Sequence, residues 1–200
     1  MTVDRADLAA AAMRKAHASA QTMSAFVETE APRIAACAAV LAEALRSGGR
    51  IFTMGNGGSA CDAQHFAVEL MHPIVEKRRP FPATALSADP ALCTAIGNDR
   101  DFALVFAAQL RLLARRGDVA VGISTSGDSA NVHRGLKAGR ELGMITVGLS
   151  GKDGGRMVEA CDHCFVVPSF NIHRIQESHV LLLHVLWDLV HLALGEEDVL

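Results

Sequence analysis

RIFTMGNGGSACDAQHFAVE, residues 50 to 69, carries the reading from which the fold follows. Ile51 to Met54 is a short apolar run. Gly55-Asn56-Gly57-Gly58-Ser59 breaks it, and a helix-like segment with His65 and Glu69 resumes. A strand, a glycine loop and a helix in that order form an anion site. Backbone N–H groups at the helix start point at the ligand, and the helix dipole favours negative charge there. His65 and Glu69 are four residues apart and fall on one helix face. Two readings of that pair stand: acid–base or metal chemistry beside the anion, or a solvated ion pair contributing about 0.3–0.5 kcal/mol.

The surroundings of this stretch are those of an ordinary globular chain. Of 200 residues, 50% are hydrophobic and 20% charged, which suits one domain with a substantial core. Net charge is −3 and no long basic run occurs, so nothing in the chain points to nucleic acid. Apolar stretches are interrupted well before membrane-spanning length, so no membrane association is expected. The N-terminus lacks the basic-then-apolar layout of a secretory signal. The five scattered cysteines then read as reduced thiols of a cytoplasmic protein. Cys161 and Cys164 have the spacing of a redox or zinc pair; with no second pair, a structural role is the preferred reading.

Upstream, residues from about Val3 to Thr29 read as a helix without internal Gly or Pro. Ala31-Pro32 is expected to interrupt it, with Pro32 opening a second helix to about Arg46. Two helices ahead of the first strand form an extra layer that is expected to bury apolar surface against another subunit. Downstream, the pattern predicts strands at Ala83–Ser87, Val119–Ile123, Ile145–Leu149 and His163–Val167. Asp89-Pro90 caps a helix. Gly97 to Asp101 reads as a polar turn, an amphipathic helix reaches about Arg115, and further helices span Ala130–Leu142 and Arg174–Leu194. Alternation of short apolar strands with helices predicts an α/β protein, a parallel sheet covered on both faces, in one domain.

A second loop repeats the opening design. Ser124-Thr125-Ser126-Gly127-Asp128-Ser129 follows the third strand and precedes a helix. Its hydroxyls suit phosphate oxygens, although capping explains them equally. Two such loops at carboxyl ends of strands in one sheet favour a ligand site. The first loop lacks the third glycine of a dinucleotide fingerprint, and no Gly-Lys-Ser/Thr follows any glycine loop. The phosphate therefore belongs to a small substrate rather than a nucleotide. Gln176, Glu177, His179, His184 and His191 are polar positions on the otherwise apolar final helix. Each is either a satisfied core residue or a partner for substrate or metal.

These segments together resemble the sugar isomerase (SIS) domain family, and within it the phosphoheptose isomerases. The likeness is carried, in order, by Gly55–Ser59, His65-Phe-Ala-Val-Glu69-Leu and Gly97-Asn98-Asp99. It continues through Gly122–Val132, Gly151–Gly155 and Arg174-Ile-Gln-Glu-Ser-His179. The resemblance implies a three-layer α/β/α sandwich with a central five-stranded parallel sheet, one SIS domain over residues 1–200. N-terminal helices within 1–47 would help to oligomerise and 48–195 would form the core. It implies a homotetramer with active sites near subunit interfaces. The implied reaction converts sedoheptulose 7-phosphate to D-glycero-D-manno-heptose 7-phosphate, the opening step of nucleotide-activated heptose biosynthesis for cell-surface glycans such as lipopolysaccharide.

By the same resemblance, substrate contacts fall on Asn56, Gly57, Gly58, Ser59, Glu69, Asn98, Asp99, Ser124, Thr125, Ser126, Ser129 and Gln176. The acid–base pair falls on Glu69 and His184. A zinc ion, one per subunit, would be held by His65, Glu69, Gln176 and His184. Proton transfer between C1 and C2 through an enediol needs a base at carbon and an acid at oxygen, which Glu and His supply. Gln176 and His184 stand about 12 Å apart along a helix axis and about 80° apart around it. They share a metal only if both reach inward or if two subunits contribute. The chain departs from the usual pattern at Asp128, where Asn is common, and at Ala60, where His is frequent. A carboxylate at 128 is unfavourable beside a phosphate loop unless it points away as a cap. Two alternatives remain at this level: a non-catalytic SIS protein binding the replication initiator DnaA, or a sugar-phosphate-sensing module. Such a DnaA-binding relative lacks the Glu and His at positions 69 and 184, and no DNA-binding domain accompanies this chain.

Overall fold

A computed structural model describes residues 4–75 and 77–198. Helix α1, Arg5–Arg46, is followed by β1 (Ile51–Gly55), α2 (Gly58–Met71), β2 (Ala83–Ala85) and α3 (Pro90–Asp99). After a 3₁₀ turn at Phe102–Leu104 come α4 (Val105–Leu113), β3 (Val119–Ile123) and α5 (Ala130–Glu141). The chain closes with β4 (Ile145–Gly151), α6 (Met157–Ala160), β5 (His163–Val167) and α7 (Ile172–Ala193). The strands are ordered β2-β1-β3-β4-β5 and all pair in parallel. Among the described residues no helix is long and apolar enough to cross a membrane.

Alternation along each strand divides the interior in two. Ile51, Val119, Val121, Ile123, Val147, Leu149 and Phe165 face a core shared with α1, α2 and α7. Phe52, Met54, Ala120 and Cys164 face a second core with α4, α5 and α6. β1 and β3 are buried at every position, as expected of central parallel strands. Where a helix lies close to a strand, glycine is required: a Cβ on Gly122 would stand 2.8 Å from Leu136 and Val132.

The expected N-terminal pair of helices is one helix. Pro32 lies inside α1, and both it and Glu28, whose carbonyl loses its i+4 donor, are exposed. The proline penalty of about 3 kcal/mol therefore falls on the solvent side, where water satisfies the freed carbonyl. The opposite face buries Phe26, Ile34, Cys37, Ala38, Leu41 and Leu45 in the core shared with α7. That burial on both sides of Pro32 keeps the axis continuous. Val3, the expected helix start, lies outside the described residues. A second correction concerns Gly97, Asn98 and Asp99, which form the last turn of α3 rather than a polar turn. The break comes at Arg100, and the Asp101 carboxylate caps the next turn at Ala103 N. β2 ends at Ala85, two residues before Ser87.

Cys161 and Cys164 are both free, and their sulfurs crowd the space over Gly148, 2.6 and 3.3 Å from where its Cβ would stand. They pack against the second core.

Candidate active site

In a sheet ordered 2-1-3-4-5 the crossovers leave in opposite directions from β1 and β3, and a crevice opens at the carboxyl ends of those two strands. Both phosphate-type loops flank this crevice. At the first, Gly55 lets α2 start directly against β1: a Cβ there would stand 2.3 Å from the Ser59 carbonyl oxygen. Gly57 takes φ +55, a left-handed conformation suited to glycine. Asn56 and Asn131 exchange two amide hydrogen bonds of 2.8 Å, clamping the first loop to the start of α5. Asn131 was not among the expected site residues; its partner is 75 positions away in the chain.

The second loop does not spend its hydroxyls on capping. Ser129 is the N-cap residue of α5, yet its side chain makes no cap bond. Its Oγ lies 3.0 Å from that of buried Ser124, and Ser126 Oγ accepts from Asp128 N at 3.2 Å. Asp128 turns toward Arg156, accepting from its backbone N–H at 3.2 Å and facing its guanidinium at 3.5 Å. The carboxylate thus turns to the Arg156 backbone and guanidinium and does not cap α5.

The chemistry-bearing groups line a seam between α2 and α7. Both helices follow strands of a parallel sheet, so they run in the same direction. Asp62, His65 and Glu69 on α2 face Gln176, His184 and Trp187 on α7. Gln176 donates from Nε2 to Asp62 Oδ2 at 3.1 Å, and its amide sits over Gly58. Burial raises the Asp62 carboxyl above its usual range, against the lowering influence of Gln176 and His65. Asp62 is a site residue that sequence reading missed; its partner is 114 positions away. Lower on the seam, His65 Nε2 is 2.8 Å from His184 Nε2 and 3.4 Å from Glu69 Oε1. One ligand atom from each of His65, Glu69 and His184 lies within 4.8 Å of the others.

That donor set fits a zinc ion. Two imidazole nitrogens and a carboxylate oxygen are ligands zinc accepts, and ligands sharing one tetrahedral ion stand about 3.3 Å apart. Two imidazole nitrogens aimed at each other accommodate only one proton between them; a shared cation satisfies both lone pairs. Gln176 is held by Asp62 in this arrangement. An ionised carboxylate only accepts, so the amide N–H faces Asp62 and the amide oxygen is left for another partner. Asn98 and Asp99 are not brought to this seam. They lie exposed at the end of α3, on the other face of the sheet, with Asn98 donating to Asp99 at 2.8 Å.

Residues 16–151 match the SIS domain family. A phosphoheptose isomerase of Aquifex aeolicus is 46% identical over 172 residues, covering 86% of this chain and 90% of the relative. Two solved phosphoheptose isomerases superpose over nearly their whole length. That of Neisseria gonorrhoeae has a TM-score of 0.85 at 38% identity, with 92% of this chain and 98% of the other covered. That of Francisella tularensis has a TM-score of 0.87 at 34% identity, with 94% and 98% covered. The chain belongs to the SIS domain family and, within it, to the phosphoheptose isomerases.

Proposed function

We propose that this protein isomerises sedoheptulose 7-phosphate to D-glycero-D-manno-heptose 7-phosphate, opening a route to nucleotide-activated heptose in the cytoplasm. The observation that carries the reading is the convergence of Glu69, His65 and His184 on one seam below two phosphate-type loops. Helix rise puts His65 about 10 Å along α2 from Gly58. A seven-carbon chain with a terminal phosphate spans such a distance, with its phosphate at the loops and its carbonyl end at the cluster.

In this reading the first N–H groups of α2 and the hydroxyls of Ser59, Ser124, Thr125, Ser126 and Ser129 bind the phosphate. Gly57 and Gly58 let the substrate approach the backbone, and Asn56 holds the loop. Gln176 orients a substrate oxygen. Glu69 removes the proton from C1 and returns it to C2, and His184 exchanges a proton with the substrate oxygens. His65, Glu69 and His184, with Gln176 as fourth ligand through its amide oxygen, would hold zinc, which when bound polarises the carbonyl and stabilises the enediolate. Asn98 and Asp99 contribute to the substrate site in the assembled enzyme.

The whole chain is proposed to act as a single domain in a homotetramer, assembled through α1. Support comes from the openness of the site within one subunit, where the His65 side chain is 43% exposed. The first half of α1 also leaves Leu8 and Met13 exposed. The test is turnover of sedoheptulose 7-phosphate by purified protein, with and without chelator, beside Glu69→Gln and His184→Gln. Each substitution should lower kcat by about 10²-fold or more. Turnover that survives both would overturn the mechanism.

A further inference from the structure

Glu69 sits in the last turn of α2, where backbone carbonyls run out of helical donors. The donor for its own carbonyl would be residue 73, and Pro73 has no N–H. The group that satisfies it comes from α7: the Trp187 indole N–H donates to the Glu69 carbonyl oxygen at 2.9 Å. The following carbonyl, that of Leu70, accepts from Phe81 N at 2.7 Å. The end of α2 is therefore held by tertiary bonds instead of by its own ladder.

Trp187 is in turn fixed on two sides. The Arg78 guanidinium lies over its ring, 4.2 Å from Cζ to centroid, and His191 meets the indole edge-on at 4.9 Å. The Arg78 side chain is 2% exposed and donates from Nη1 to Asp188 Oδ1 at 2.7 Å. A guanidinium so placed keeps the indole plane from tilting, and the indole N–H then keeps its aim at Glu69. Trp187 also lies one helical turn beyond His184. One side chain thereby fixes the carboxylate-bearing turn of α2 against the histidine-bearing turn of α7.

We propose that Trp187 and Arg78 are positioning residues that set the placement of Glu69 relative to His65 and His184, and with it proton transfer and the affinity for a divalent metal. The inference rests on the reading of Glu69 as base and ligand. Neither side chain touches the reacting atoms.

Trp187→Phe keeps a ring for Arg78 and removes only the N–H; Arg78→Lys keeps the charge and removes the planar stack. For Trp187→Phe, kcat should fall about 10- to 100-fold with KM within about threefold, and zinc affinity measured by chelator competition should fall about tenfold. Arg78→Lys should lose less on both measures. Trp187 is the sole tryptophan and there is no tyrosine, so tryptophan emission in the wild type comes from this side chain alone and should change when zinc is added. A crystal structure of Trp187→Phe should show Glu69 Oε1 moved from its place beside His65 Nε2. The inference is overturned if that carboxylate stays in place, or if kcat and zinc affinity both remain within twofold of wild type. It is overturned equally if activity falls only in step with the folded fraction. Absence of turnover in the wild type would count against the proposed reaction alone; the crystallographic comparison then decides the positioning role.

Discussion

Gly58→Ala separates the architecture of the seam from its stability. Gly58 is the first residue of α2, and a Cβ there would stand 2.2 Å from Gln176 Nε2 and 2.9 Å from its Oε1. Both atoms are at the free end of a flexible side chain, so Gln176 swings aside and α7 stays where Ile175 and Ser178 are buried. The Gln176–Asp62 hydrogen bond is lost, at a cost of about 1–3 kcal/mol for a buried acceptor left without its partner. Alanine in place of glycine in a helix returns up to about 1 kcal/mol. The net destabilisation is then about 0–3 kcal/mol, a fall in Tm of no more than about 12 °C for a chain of this size. Function should suffer far more, since a displacement of about 1 Å in an orienting group costs on the order of 10²-fold in rate. The assay is kcat/KM for sedoheptulose 7-phosphate alongside a thermal melt, for Gly58→Ala, Gln176→Ala and the double variant. If the glycine acts through Gln176, the double variant is no worse than Gln176→Ala alone. Independent, multiplicative losses in the cycle, or a Gly58→Ala enzyme within threefold of wild type, would refute the reasoning.

Two further outcomes concern the scaffold. His179 is fully buried on α7, its Nε2–H donating to the Ser150 carbonyl at 2.9 Å, and burial pushes its pKa down to about 4. An unfolded histidine titrates near about 6.5, so on acidification the unfolded chain takes up the proton first. Stability should fall from about pH 6.5 to about pH 4 by up to about 3 kcal/mol and level off below. His179→Gln should flatten that limb in urea titrations, and an unchanged slope would refute the assignment. Gly127 has φ +71, and a Cβ on it would stand 1.9 Å from the Gly154 carbonyl oxygen, a backbone atom that cannot swing away. Gly127→Ala should therefore cost at least about 3 kcal/mol and lower Tm by about 6 °C or more; a melt within 2 °C of wild type would refute the account.

What could be read from the residues and what could not divides along one line: whether the deciding interaction is local. The strands Val119–Ile123 and His163–Val167, the Asp89-Pro90 cap and both phosphate-type loops were legible because their signals lie within a few residues. Pro32 misled because its local penalty is real, while the burial that overrides it lies on α7. Gly97-Asn98-Asp99 misled for a related reason. Those residues look like a turn by propensity, yet the helix continues until the Asp101 carboxylate offers a competing cap.

The same line runs through the site. His65 and Glu69 announced themselves by spacing on one helix, but spacing alone left them a solvated pair. The residue that favours the metal or acid–base reading is His184, which the parallel run of α2 and α7 brings to 2.8 Å from His65 across 119 positions. Two imidazole nitrogens at that distance have room for one proton or one cation between them. Asp62 and Trp187 had no local signature at all. Each acts by satisfying a group on the other helix, Asp62 an amide of α7 and Trp187 a carbonyl that Pro73 cannot serve. Such reciprocal bonds tie down the Gln176 amide and the backbone at Glu69, while the His65 and His184 side chains are the more exposed members of the seam. In the proposed reaction that distribution lets Glu69 keep its aim while the substrate enters beside the exposed imidazoles.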